Sequence, residues 1–67
     1  MYEIRVQGYI DTRWEEWLNG MSLGYTPDGD TTLTGPLPDQ AALHGVLAKI
    51  RDLGIPLISV RRIDVDP

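Results

Sequence analysis

Residues 39–60 read DQAALHGVLAKIRDLGIPLISV, and the rest of the fold is built outward from this stretch. At 100° per residue, Ala42, Leu43, Val46, Leu47, Ile50 and Leu53 share one side of a helix predicted from Gln40 to Leu53. Gln40, His44, Ala48, Lys49, Arg51 and Asp52 share the other side. Asp39 supplies an N-cap, a carboxylate placed to accept an amide of the first turn. Gly54 can take the left-handed conformation that ends a helix, and Pro56 blocks any continuation. Beyond it, Ile58 and Val60 alternate with Ser59 and Arg61, which predicts a strand from Leu57 to Val65. The parity slips at Arg61-Arg62, so a bulge, or the end of pairing, is expected near Arg62.

The N-terminal stretch alternates too. Tyr2, Ile4, Val6, Gly8 and Ile10 lie on one face, with Glu3, Arg5, Gln7 and Tyr9 on the other, as in a half-buried strand. Thr12 with Glu15 reads as a capping box. Trp14, Trp17, Leu18 and Met21 follow at helical spacing, and Asn19-Gly20 supplies the stop, so a second helix of at most two turns is expected here. Met21, Leu23 and Tyr25 then alternate up to Thr26-Pro27-Asp28-Gly29, a strong turn. A three-residue loop pairs Thr26 with Asp30, Tyr25 with Thr31 and Leu23 with Leu33. The return strand runs from Thr31 to about Thr34.

The predicted order is strand, short helix, two-stranded hairpin, long helix, strand. This β-α-β-β-α-β order defines an α+β, ferredoxin-like fold: a four-stranded antiparallel sheet with two helices on one face. Its strand order of 4-1-3-2 puts the first strand in the middle. A chain of 67 residues reads as one domain, 1–67. A domain of that size has a thin core, and self-association is a common source of added stability. Without cysteine there are no disulfides, thiolate metal sites or thiol nucleophiles. The net charge of −4 argues against nucleic-acid binding, which draws its affinity from a basic field. No signal peptide is recognised, and no apolar run approaches the ~20 residues that span a bilayer. A cytoplasmic domain without cofactor or metal is expected.

Few residues are candidates for chemistry. Trp14 and Trp17 are expected to fill the gap between the short helix and the sheet, with one of them free to line a partner surface. His44, the one histidine, lies on the polar side of the long helix, and with no second histidine it does not make a metal site. Arg5, Arg61 and Arg62 are expected on the open sheet face with Glu3, Gln7, Tyr9, Thr32, Thr34 and Ser59, where they suit a small anionic ligand or a protein partner. Only Tyr9 there is aromatic, which is too little for RNA stacking. Glu15 and Glu16 are adjacent helix positions and do not face each other as an acid/base pair. The tail 64–67 reads as frayed.

Two resemblances bear on these residues. Val6-Gln7-Gly8 followed by Arg13 resembles the acylphosphatase signature, which implies a phosphate-cradling loop and hydrolysis of anionic acyl-phosphate-like substrates. The chain departs from it in three ways: the Gly8–Arg13 spacing is one residue too long, Tyr25 stands where that family has its asparagine, and Asp11 places an acid in the loop. The run Asp39 to Val60, with D-Q-A-A-L-H-G at its head, resembles the core of a family of short uncharacterised bacterial proteins, over nearly the whole chain. That resemblance implies no activity. It includes His44 and Gly45, and a mid-helix glycine suggests close packing there. The function expected from these features is a non-enzymatic binding or assembly module, homodimeric through edge-strand pairing or the Trp14/Trp17 region.

Overall fold

The structure is a computed structural model that describes residues 1–63. The strands are β1 (Tyr2–Val6), β2 (Ser22–Tyr25), β3 (Thr31–Gly35) and β4 (Leu57–Arg62), and the helix is α1 (Gln40–Asp52). They form one antiparallel sheet in the order β2-β3-β1-β4, with β1 and β3 inside and β2 and β4 at the edges.

The helix begins and ends by local chemistry. The Asp39 carboxylate accepts the Ala42 amide at 2.8 Å. At the far end the Gly54 amide donates to the Arg51 carbonyl and the Ile55 amide to the Ile50 carbonyl, with Gly54 at φ 72°. This paired closure satisfies the last carbonyls and turns the chain into β4. Val46 and Ile50 are fully buried against the sheet, while Leu53, expected on the apolar side, is 36% exposed.

The hairpin has the expected register. Tyr25 opposes Thr31 and Leu23 opposes Leu33, and the Thr26 amide donates to the Asp30 carbonyl at 2.9 Å. Gly29, at φ 87°, supplies the left-handed position of the three-residue loop.

The ferredoxin-like two-helix fold is not what forms. The described residues contain one α-helix, and the segment before β2 is a single 3-10 turn, Thr12–Trp14, followed by further turns. Three physical reasons are visible. Ile10 and Met21 are both buried, so the segment is anchored in the core at each end and has little length to nucleate a helix. The capping box does not close: Asp11 caps the turn through the Arg13 amide, and Glu15 reaches forward to the Leu23 amide. Asn19 at φ 61° and Gly20 at φ 71° then end the turn in the left-handed region, where the Gly20 amide meets the Glu15 carbonyl.

One further expectation is corrected. The first strand stops at Val6, four residues short of Ile10, because Gly8 at φ 89° turns the chain out of the sheet. Of the two outcomes expected near Arg62, the strand end is the one found, since β4 stops there; the bulge lies where Val6 opposes Leu57 and Arg5 opposes Ser59, which leaves Ile58 as the extra residue. The reading of residues 64–67 as strand end and frayed tail falls outside the described residues.

The core consists of Ile4, Val6, Ile10, Leu18, Met21, Leu33, Leu37, Val46 and Ile50. It lies between α1 and one face of the sheet, and the 7–21 loop crosses from the hairpin end to the opposite end. At that opposite end Gly35 makes room for the loop: a side chain there would meet the Met21 backbone at 3.3 Å.

Candidate functional site

The loop that leaves β1 is held by one buried hydroxyl. Thr31 Oγ1 accepts the Ile10 amide at 3.1 Å and donates to the Gly8 carbonyl at 2.7 Å. The Gly8 amide donates to Asp30 Oδ1 at 3.4 Å. Two amides of this loop are therefore satisfied by the protein's own side chains, one of them by a carboxylate. A phosphate cradle requires such amides to point at an anion. Arg13 lies beside Asp11, with Nε 3.6 Å from Oδ2, and its side chain is exposed.

The same loop brings two tyrosines together. Tyr9 stacks on Tyr25 with ring centroids 4.9 Å apart and planes at 17°. The Tyr25 hydroxyl donates to the Ile10 carbonyl at 2.6 Å. Tyr9 therefore leaves the open sheet face expected for it: Tyr25 opposes the buried Thr31, so the stack sits on the core side, at the hairpin end of the layer that holds α1. The Tyr25 phenol is held above its ordinary value of 10.0, first by desolvation, then by the Tyr9 side chain and the charges of Asp11 and Glu15.

Trp14 and Trp17 do meet, edge to face at 5.5 Å. They do not fill the core: they are 37% and 39% exposed, and Leu18 and Met21 occupy the interior instead. Lys49 of α1 closes over Trp17, donating to its carbonyl at 2.6 Å with Nζ 5.3 Å from the ring centroid.

His44 is exposed on α1. The neighbouring Gly45 has no close-packed partner, since a side chain built there would meet nothing within 4 Å. Among the described residues no group of His, Cys, Asp and Glu is arranged to hold a metal ion.

On the open sheet face, Arg61 Nη2 pairs with Glu3 Oε1 at 3.0 Å, and Arg5 lies one step along, opposite Ser59 and Thr32. Arg62 does not join them, because it opposes Tyr2, whose register places it with Ile4 and Val6 on the other face. The candidates thus fall into three separate places: the tryptophan pair, the exposed side of α1, and the Glu3–Arg5–Arg61 face.

A further exposed feature lies elsewhere. Leu57, Ile58 and Val60 of β4 are 49%, 48% and 36% exposed. Beside them a cleft of about 320 Å³ is lined by Leu47, Ile50, Arg51, Gly54, Ile55, Pro56 and Leu57. The signal for it was present in the sequence, since an order of 4-1-3-2 leaves Leu-Ile-Ser-Val on an edge strand. The two edges differ. At β2 the Leu23 amide, which faces away from β3, is taken by Glu15 Oε2 at 3.1 Å.

Residues 1–61 match the family model described as Domain of unknown function (DUF8691). No curated protein and no solved structure matches the chain. No helix among the described residues is long and apolar enough to cross a membrane.

Proposed function

We propose, for a chain that belongs to this family of unknown function, that the domain is a binding and assembly module that works as a homodimer joined along β4. The observation that carries this reading is the contrast between the two sheet edges. β2 is closed by a carboxylate, while β4 offers exposed Leu57, Ile58 and Val60. An open edge strand with apolar side chains is a template for pairing.

The register supports a second copy as the occupant. The Ile63 amide donates to the Met1 carbonyl at 2.7 Å. Alternation along an antiparallel ladder then turns the backbone groups of Ser59 and Arg61 toward β1, and those of Val60 and Arg62 outward. A two-fold axis at Val60 pairs Val60 with its own copy, Ile58 with Arg62 and Ser59 with Arg61. No arginine then opposes another arginine. We place the domain in the bacterial cytoplasm on the strength of the D-Q-A-A-L-H-G resemblance at 39–45.

Sedimentation velocity at micromolar concentration tests the dimer. The wild-type chain is expected to sediment as a dimer. Val60→Pro is expected to be a folded monomer, because it removes an outward amide and leaves the ladder to β1 intact. A wild-type chain that stays monomeric throughout that range would sink the proposal.

A further inference from the structure

The charge of the chain is unevenly placed. Residues 7–31 carry five carboxylates, Asp11, Glu15, Glu16, Asp28 and Asp30, against one cation, Arg13. Elsewhere Glu3, Asp39, Asp52, Asp64 and Asp66 are balanced by Arg5, Lys49, Arg51, Arg61 and Arg62. The whole net charge of −4 therefore belongs to the loop and hairpin that carry Tyr9 and Tyr25. Its hairpin strand β2 is the sheet edge opposite β4.

The tyrosine stack is a fixed surface. Tyr25 is anchored by its hydroxyl on the Ile10 carbonyl, and Tyr9 lies flat on it. Tyr9 is nevertheless 74% exposed, so its second ring face is open to solvent. Asp30 reaches the amide of Gly8, the residue before Tyr9, and Asp11 lies two residues after it, with Oδ2 3.6 Å from Arg13 Nε. We propose that the outer face of Tyr9, backed by Tyr25 and set in this acidic region, docks an arginine-bearing segment of a partner protein.

The chemistry selects that occupant. A guanidinium is planar and weakly hydrated, stacks on an aromatic face, and presents forked donors to neighbouring carboxylates. The negative field repels nucleic acid, anionic lipid and acidic peptides. A quaternary ammonium ligand is held by a cage of several rings, whereas this surface offers one outer face. The chain already holds one cation over a ring, with Lys49 against Trp17.

The test is a fluorescence-anisotropy titration of the whole chain with a labelled peptide of alternating arginine and glycine, beside a lysine peptide of equal charge. The arginine peptide is expected to bind at least about threefold more tightly than the lysine peptide. Tyr9→Leu is expected to abolish that preference while the chain remains folded by circular dichroism, and Tyr9→Phe to keep it. Equal affinity for the two peptides, an unchanged preference in Tyr9→Leu, or no binding at all would each overturn the proposal. The titration is repeated on Val60→Pro, where retained binding shows that docking is independent of the β4 dimer.

Discussion

Glu15 Oε2 lies 3.1 Å from the backbone amide of Leu23, so a loop carboxylate covers the outer edge of β2. The contact adds to the hydrogen bonds by which Tyr25, Asp30 and Thr31 hold the same loop against the hairpin. It also serves the solubility of the fold, because an edge amide held by a charge is poorly available to another strand.

Removing that carboxylate is expected to have two effects. Glu15→Ala should cost about 1–2 kcal/mol, the usual range for a hydrogen bond to a charged group, read by urea unfolding. It should also raise concentration-dependent light scattering by freeing the second edge. Glu15→Gln keeps an acceptor and should recover most of both.

Thr31 is fully buried, and its hydroxyl serves the Ile10 amide and the Gly8 carbonyl together. Thr31→Val preserves shape and removes both partners. A loss of about 2–3 kcal/mol is expected, since two backbone groups are left unsatisfied. Chemical denaturation measures it, and a loss under half a kcal/mol would show that water replaces the hydroxyl.

Gly45 occupies an exposed position in α1 with open space where a side chain would stand. Gly45→Ala is therefore expected to stabilise the fold by about 0.5–1 kcal/mol, through helix propensity and a less mobile unfolded chain. A decrease in the unfolding midpoint would contradict the open geometry.

The Tyr25 phenol gives the stability curve an alkaline limit. Its folded value is raised above 10.0, so the unfolded chain releases this proton first. The contribution is intact below the unfolded value and is lost as pH rises through the folded one. Urea unfolding across roughly pH 9 to 11 should show stability falling at the upper end, with a shallower fall in Tyr25→Phe. Parallel slopes for the two proteins would remove Tyr25 as the cause.

Much of the scaffold was legible because its signals are local. Asp39, Gly54 and Pro56 bound α1 through cap chemistry, and Pro27-Asp28-Gly29 fixes a register that any reader of turns can count. The loop from Gln7 to Met21 was not legible. Its Trp-Leu-Met spacing is helical, yet the backbone follows constraints that come from far along the chain: Thr31 and Asp30 hold Gly8 and Ile10, and Lys49 holds Trp17. The same loop carries Tyr9 across to Tyr25, which strand alternation placed on the opposite face. Arg5 and Arg61 were placed correctly, since their parity in β1 and β4 decides it, whereas Arg62 was assigned against its own parity. The β4 surface was missed for a different reason: apolar alternation marks a strand without saying how much of it a short helix covers.

The central place of β1 has a consequence for how the chain reaches this state. Its two neighbours arrive at different times, β3 from residues 31–35 and β4 only from residues 57–62. Until the last strand is available, β1 is itself a border, with Ile4 and Val6 lacking their final cover. A nascent chain still short of Leu57 therefore presents a central strand as an adhesive margin, and closure waits on the pairing of β1 with β4. Such long-range closure is slow compared with hairpin or helix formation. For this fold the vulnerable interval is the one before β4 has been made, and truncations before β4 should be more prone to aggregation than any single substitution described above.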